Sequence, residues 1–600
     1  MKEKAIKYLS AILSPIVKEL PFFAFSFLLL GERALRTIHS QIVEPSHKIT
    51  VVNMAGQITI VFLMAYLLTL IVSTVGKRWL KALFYAVIIV LFFFTQFLLF
   101  NFDMKINPQA LVLLAETDSR EASGFLDVFL FSKGSIITYV ATATTILLVC
   151  FAERWYHRKG RRTSTPTLWK ALVALPVTAV LIYGASACKC YQRIFSYKTN
   201  DQVNNQEPYD WVYPSDPISL LAQSIYSLHL SSQETGQALA NNMDIARHHS
   251  TITESDSLNV VLIIGESFNK WHSNLYGYPL NTMPRLKQEA ETGHLTAFDD
   301  AVTSFCLTSP SMKNILCCNS YSDGEEWWES PYMPAIFKSA GYQVYFWDNQ
   351  KQVKPFSEFT FSINSFIYNK NIMDMSYSQV NDSSYNYDFQ IINSFKRSAN
   401  PLALHNLVIF HLMGQHSPPR ARYPHVAQLE YFTADSIHRS EPYLTREKRQ
   451  LIAEYDNSTR YNDHVVATII DLFRDKNTVM VYLSDHGEET YDYKDAFWRA
   501  YKGIDKNWLK HIHNIPFFVW YSDAYRQAHP DIVEAIRSSA GRPFAVDNLC
   551  HLLFHVGALQ TPYYKADRDV ISDKFKPRRR IVEGKDDLVK ADYDEVMRSK

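Results

Sequence analysis

Asn259-Val-Val-Leu-Ile-Ile-Gly265-Glu266-Ser267 is the stretch on which the fold of this 600-residue chain turns. Five consecutive apolar residues end in glycine, then in an acid and a hydroxyl. A run that short, apolar on both faces and closed by glycine, reads as a strand buried on both sides of a sheet. Runs of the same kind recur at residues 342–347, 407–412, 478–483 and 515–520. Helical patterns separate several of them, such as residues 333–340 and 454–473. Strand alternating with helix predicts an α/β domain with a largely parallel sheet covered on both sides. Three strands end in polar residues: Gly265 runs into Glu266-Ser267, Leu412 into Met-Gly-Gln-His416, and Leu483 into Ser484-Asp485-His486-Gly487. Open α/β sheets bind ligands beyond the carboxyl ends of their strands. Glu266, His416, Asp485 and His486 are thus aimed at one rim.

Toward the N-terminus the composition changes. Five apolar stretches, residues 12–31, 52–75, 80–102, 136–152 and 168–187, fill the first third, and none follows. Each approaches the 20 or so apolar residues that span a bilayer as helix, the form that leaves no backbone group unpaired in lipid. Lys18 and Glu19 interrupt the first. A secretory leader is its other reading, but no convincing small-residue cleavage site follows. Lys2, Lys4 and Lys7, then Lys77, Arg78 and Lys81, then Arg154, Arg158, Lys159, Arg161 and Arg162 fall on one side of a five-span bundle. The excess of Lys and Arg makes that side cytoplasmic, so everything after the fifth span lies outside, which in a bacterium is the periplasm. The expected organisation is a five-helix transmembrane domain (1–188), a membrane-surface linker (189–256), a soluble catalytic domain (257–575) and a charged, solvated tail (576–600). A formal net charge of +1 provides no global field for nucleic acid.

The chemistry-bearing residues lie in the soluble part. Two carboxylates and one imidazole, Glu266, Asp485 and His486, suit a borderline divalent ion, zinc above all. Three protein ligands leave a fourth position. The segment Thr303-Ser-Phe-Cys-Leu-Thr308-Ser-Pro-Ser311 supplies hydroxyls for it. A hydroxyl beside such a cation loses its proton easily and can attack phosphorus. A Ser/Thr-rich start of a helix caps free N–H groups and also favours a phosphate. Seven cysteines are present, and an oxidising compartment permits a bridge from Cys306 to Cys317 or Cys318. His551 and His555 have the spacing of a zinc pair, but without a glutamate after His551 they read as packed core histidines.

As an ordered set these residues resemble the phosphoethanolamine transferases of Gram-negative bacteria, members of the alkaline-phosphatase/sulfatase superfamily. The motifs are Gly265-Glu-Ser with His272, Tyr276-Gly-Tyr278 and Thr282-Met-Pro284; Phe410-His-Leu-Met-Gly-Gln-His416-Ser-Pro with Arg422-Tyr-Pro424; Ser484-Asp-His-Gly-Glu488; Ile515-Pro-Phe-Phe-Val-Trp520; and Asp547-Asn-Leu-Cys-His551. The resemblance covers nearly the whole chain and implies an α/β/α sandwich. It implies zinc, one ion and room for a second, on Glu266, Thr308, Asp485 and His486. Thr308 would be the nucleophile, standing two residues before Pro310-Ser311, with Ser309 as its rival. His416 and His513 would lie near the phosphate or the second zinc; Asn514 stands where the family usually has the second histidine. Asn269-Lys270 replaces a frequent arginine. Lys354 matches a substrate lysine, and Thr117 and Glu121, in the loop after the third span, match a donor-headgroup motif. The implied donor is phosphatidylethanolamine in the inner membrane. The implied acceptor is lipopolysaccharide, through lipid A or a core sugar, or another envelope glycan. A related phosphoglycerol transferase or phosphodiester hydrolase is the alternative.

Overall fold

In the computed structural model the described residues are 11–43, 51–102, 129–158, 188–197, 216–242, 250–350, 366–497, 505–583 and 590–599, with isolated positions between them. The chain divides into two compact units: Met1–Ala115 with Leu126–Ser231, and Glu116–Phe125 with Ser232–Lys600.

The first unit holds helices α1 (Leu20–Val43), α2 (Val51–Val75), α3 (Arg78–Phe102) and α4 (Lys133–Arg158). Among the described residues three helices are long and apolar enough to cross a membrane, Met54–Val75, Arg78–Asn101 and Lys133–Arg158. A fourth is counted if Ala11–Lys18 and Leu20–Arg36, which meet at 86°, form one broken span. Most of the predicted fifth span, residues 168–187, is outside the described residues. The bend falls at Lys18 and Glu19. Glu19 lies 2.8 Å from the Lys81 ammonium, which also pairs with Glu153 at 2.6 Å. The Tyr85 hydroxyl donates to Glu153 at 2.8 Å. Charges this poorly exposed hold together only when paired.

The second unit is built on a seven-stranded sheet. Its strands are β1 (Leu258–Gly265), β2 (Leu295–Ala297), β3 (Gln343–Asp348), β4 (Gln379–Val380), β5 (His405–His411), β6 (Thr478–Ser484) and β7 (Phe517–Tyr521). The spatial order is β2-β7-β6-β1-β5-β3-β4. Strands β4, β3, β5, β1 and β6 run parallel, and β7 is antiparallel to both β6 and β2. All five apolar runs in the sequence are strands, and the fifth is the one that reverses direction.

Helices cover both faces, which makes the α/β/α sandwich. On one side lie α6 (Thr308–Leu316), α7 (Met333–Ala340) and α10 (Leu549–Val556). On the other lie α8 (Asp388–Ser398) and α9 (Arg446–Phe473). Helix α5 (Pro217–Asn242), within the expected linker, ends on the first of these cores, where Asn242 Oδ1 accepts the Tyr332 N–H at 2.7 Å. Alternation along each strand puts Phe346, Ile409, Ile264 and Leu483 on the α6 face. Two residues further along their strands, Asp348, His411, Glu266 and Asp485 continue on that face. Four adjacent strands thus offer ionisable groups at the rim that α6 covers.

Residues 576–600 differ from the solvated end that their charge suggests. Ile581–Glu583 (β8) and Lys590–Asp592 (β9) pair as a hairpin, and α11 (Tyr593–Arg598) follows. Val582 and Tyr593 are buried against Trp508, Leu509 and Ile512. Arg580 is 3% exposed and pairs with Asp300 at 2.7 Å and with Asp594. Basic residues look solvated in a sequence when their acidic partners come from far along the chain. The Cys306 bridge is also absent: all seven cysteines are unbridged. Cys306 packs with Val302 and Trp508, whereas Cys317 and Cys318 belong to the main core under α6.

Candidate metal centre and nucleophile

Glu266 and Asp485 follow directly on the central parallel strands β1 and β6, with His486 next along. All three are fully buried. One ligand atom from each lies within 4.8 Å of the others, the only such group among the described residues. Ser267 adopts a left-handed φ of 55°, an uncommon conformation. It turns its N–H onto Asp485 Oδ1 at 3.1 Å, while its hydroxyl donates to Glu266 Oε1 at 2.7 Å. The His486 N–H donates to the same Asp485 oxygen at 2.7 Å.

The tautomer of His486 is assigned by its neighbour. Its Nδ1 lies 2.9 Å from the Gly487 carbonyl, which can only accept, so Nδ1 carries the proton and Nε2 the lone pair. That lone pair faces Glu266 Oε1 at 3.3 Å and Asp485 Oδ2 at 3.1 Å. Three acceptors converge, an arrangement that repels itself and that a cation relieves. The donor set fits zinc.

Thr308 is the first residue of α6. Its hydroxyl donates to Glu266 Oε2 at 2.9 Å and lies 3.5 Å from His486 Nε2. The helix N-terminus favours negative charge at this position. The structure therefore brings together all four residues of the expected ligand set. Two close backbone approaches shape the cradle. A Cβ on Gly414 would lie 2.7 Å from the Glu266 carbonyl oxygen, and one on Gly487 only 2.0 Å from that of His511.

His513 is buried at the end of a wide helical turn, Leu509–His513. Its Nδ1 lies 2.8 Å from the Thr303 carbonyl, and the Thr303 N–H donates to the His513 carbonyl at 2.9 Å. Its Nε2 has no hydrogen-bond partner. Burial pulls its pKa down to about 4, so it is a neutral base beside the segment leading to Thr308. His416 is half-buried on the loop after β5, where the neighbouring Gln415 N–H donates to the Glu266 carbonyl at 3.0 Å. Its Nδ1 lies 2.8 Å from the Ser417 carbonyl. Lys270 is buried and reaches Asn514 Oδ1 at 2.8 Å; burial lowers its pKa to about 8. Thr117, Glu121 and Lys354 are outside the described residues. His551 is packed, accepting the Lys565 N–H at 3.3 Å, and His555 lies 2.6 Å from Asp569.

Strand β3 adds residues that the three-strand reading passed over. It too ends in polar residues, Asp348-Asn-Gln350. Gln350 Nε2 donates to Glu266 Oε2 at 3.1 Å and to the Leu412 carbonyl at 2.9 Å. Asp348 holds His411 Nδ1 at 2.9 Å and accepts the Tyr368 hydroxyl.

His272 lies between Asp456, 2.6 Å from Nδ1, and Asp492, 3.2 Å from Nε2. Burial alone disfavours the charged ring, but the two carboxylates outweigh it and raise its pKa to about 10. A raised folded pKa adds stability that is complete below the ordinary histidine value of about 6.5 and is lost as pH rises through the folded value. The melting difference between the wild type and His272→Asn is expected to be widest near pH 6, on the order of 2–4 kcal/mol. It narrows toward pH 10. A difference independent of pH would remove the charged form of His272 from the account.

Residues 258–553 match the sulfatase family. The phosphoethanolamine transferase EptC of Escherichia coli K12 is 26% identical over 493 residues, 80% of each chain. The phosphoethanolamine transferase CptA of Salmonella typhimurium is 26% identical over 491 residues, again 80% of each. The integral membrane lipooligosaccharide phosphoethanolamine transferase A from Neisseria meningitidis shares the fold, with a TM-score of 0.60 over 94% of this chain and 99% of that one, at 16% identity. Residues 258–553 thus form a sulfatase-family domain, in a chain whose similar curated proteins include phosphoethanolamine transferases.

Proposed function

We propose that this chain moves phosphoethanolamine from phosphatidylethanolamine to lipid A or a core sugar of lipopolysaccharide, at the outer face of a bacterial inner membrane. The observation that carries the reading is Thr308, a hydroxyl at a helix N-terminus 2.9 Å from Glu266, on the edge of three converging acceptors. The names and coverage of the relatives support the transferred group, and the apolar helices of the first unit support the membrane setting.

Thr308 attacks the phosphodiester phosphorus, and the bond to the diacylglycerol oxygen breaks. Glu266 accepts the Thr308 hydrogen in the resting arrangement and holds the oxygen in place. The α6 N-terminus offsets charge gathering on the phosphate. His513 and His416 are positioned to bear a proton to or from the departing and arriving alcohols. The phosphoethanolamine then passes from Thr308 to the acceptor hydroxyl or phosphate. One zinc held by Glu266, Asp485, His486 and Thr308 would supply the positive charge that makes the threonine hydroxyl acidic. Thr117 and Glu121 complete the reading as contacts to the donor headgroup, and Lys354 as a substrate-binding lysine.

Mass spectrometry of lipid A and core oligosaccharide from cells with and without the gene tests the assignment. The phosphoethanolamine mass increment is expected on one of the two fractions only when the gene is present. Identical spectra for both fractions would overturn the lipopolysaccharide assignment.

A further inference from the structure

Glu266 is a buried carboxylate with a neutral donor on each oxygen. The Ser267 hydroxyl holds Oε1 at 2.7 Å, and that oxygen faces His486 Nε2 at 3.3 Å. The Gln350 side-chain amide holds Oε2 at 3.1 Å, the oxygen that also accepts the Thr308 hydroxyl. The same amide nitrogen donates to the Leu412 carbonyl at 2.9 Å. Both partners can only accept, so it is the nitrogen and not the oxygen of the amide that faces them. Gln350 is fixed from behind as well. Its backbone N–H donates to Asp348 Oδ1 at 2.7 Å, and Asp348 is anchored by His411 Nδ1 at 2.9 Å and by the Tyr368 hydroxyl at 2.5 Å. Between them the Asn349 N–H donates to the His411 carbonyl at 2.8 Å, and its side chain donates to Asp388 Oδ1 at 2.7 Å. The chain after β3 is thus tied to the end of β5 up to the glutamine.

We infer that Gln350 is a positioning residue for Glu266 and, through it, sets how tightly the centre holds its metal. The terminal torsion of a glutamate is broad, so one donor does not fix the plane of its carboxylate. Two donors, one on each oxygen, do. With Gln350 in place, Oε1 stays turned toward Asp485 and His486 and Oε2 stays within reach of Thr308. The amide is uncharged, so it fixes direction while leaving the negative charge of Glu266 for a cation. Hydrogen bonds behind the ligands orient metal sites in this way. Both amide hydrogens are spent on Glu266 and Leu412, so Gln350 acts through the ligand and not on the reacting group.

The inference rests on the metal reading of Glu266, Asp485 and His486 and not on the group transferred. The full chain in detergent is stripped with a chelator, and its zinc affinity is measured by competition with a chromophoric chelator. Gln350→Met keeps the length of the side chain and removes both N–H groups; its zinc Kd is expected to rise about 10–100-fold. Gln350→Asn, one methylene too short to span the same gap, is expected to lose affinity as well. Cobalt(II) in place of zinc reads the ligand geometry directly, and the d–d absorption of the Gln350→Met protein is expected to differ from wild type. Gln379→Met is the control: at β4 that side chain donates to the Ser398 carbonyl at 2.7 Å and accepts the Asn400 N–H at 2.8 Å, and its loss is expected to leave zinc affinity unchanged. Wild-type affinity and absorption in Gln350→Met, or an equal loss in Gln379→Met, overturns the inference and leaves the metal reading standing. Gln350 variants that fail to fold even when zinc is supplied would make the residue part of the scaffold and overturn it too. A wild-type protein that binds no zinc overturns the metal reading along with it.

Discussion

Replacing Thr308 with alanine is expected to lower the release of labelled diacylglycerol from a fluorescent phosphatidylethanolamine by at least about 1,000-fold. The protein still inserts and folds. Thr308 is half-buried at the start of α6, and its one strong contact is the 2.9 Å bond to Glu266. Losing a single such bond costs about 1 kcal/mol, too little to unfold a domain whose sheet is buried on both faces. Thr308→Ser keeps an oxygen in place and is expected to retain part of the activity. Ser309→Ala separates the two hydroxyls and is expected to stay near wild type. Equal release by the Thr308→Ala protein would remove this residue from the chemistry.

The second large effect is predicted where there is no side chain. Gly487→Ala would put a Cβ 2.0 Å from the His511 carbonyl oxygen and 3.1 Å from the Ile512 Cα. Both obstacles are backbone, and the Gly487 N–H is itself bonded to the Ile512 carbonyl at 2.7 Å. Neither strand of this contact can yield without moving His486 away from Glu266 and Asp485. Overpacking of this kind costs about 1–3 kcal/mol, and misplacing a ligand by an ångström costs about 100-fold in rate. Zinc content measured on the purified protein is expected to fall together with activity. Gly541→Ala meets nothing within 4 Å and is expected to be neutral. A Gly487→Ala protein with full zinc and full activity would show that the approach is looser than described.

Much of this arrangement was legible before any coordinates. The strands are apolar on both faces, so β1, β3, β5, β6 and β7 stand out as uninterrupted runs. The carboxyl ends of β1, β3, β5 and β6 point the same way because crossovers between parallel strands demand it, which is why Glu266, Asp485 and His486 could be placed on one rim. Direction is not encoded in apolarity, and the reversal of β7 went unread. Strands β2 and β4, three and two residues long, carry no periodicity at all. Gln350 was missed because an amide at the end of a strand looks like any turn residue until Glu266 is seen opposite it. The assignment of Thr308 over Ser309 came from the resemblance alone; the hydroxyl-rich segment by itself offered several oxygens of equal chemistry. The basic tail was misjudged because Asp300 lies almost three hundred residues before its partner Arg580.

That packing makes a distant part of the chain a support for the reactive rim. The hairpin β8–β9 and helix α11 pack on Trp508, Leu509 and Ile512, the turn that ends in His513. Damage to this far segment would loosen the footing of that imidazole while leaving the sheet and the Thr308 hydroxyl in place.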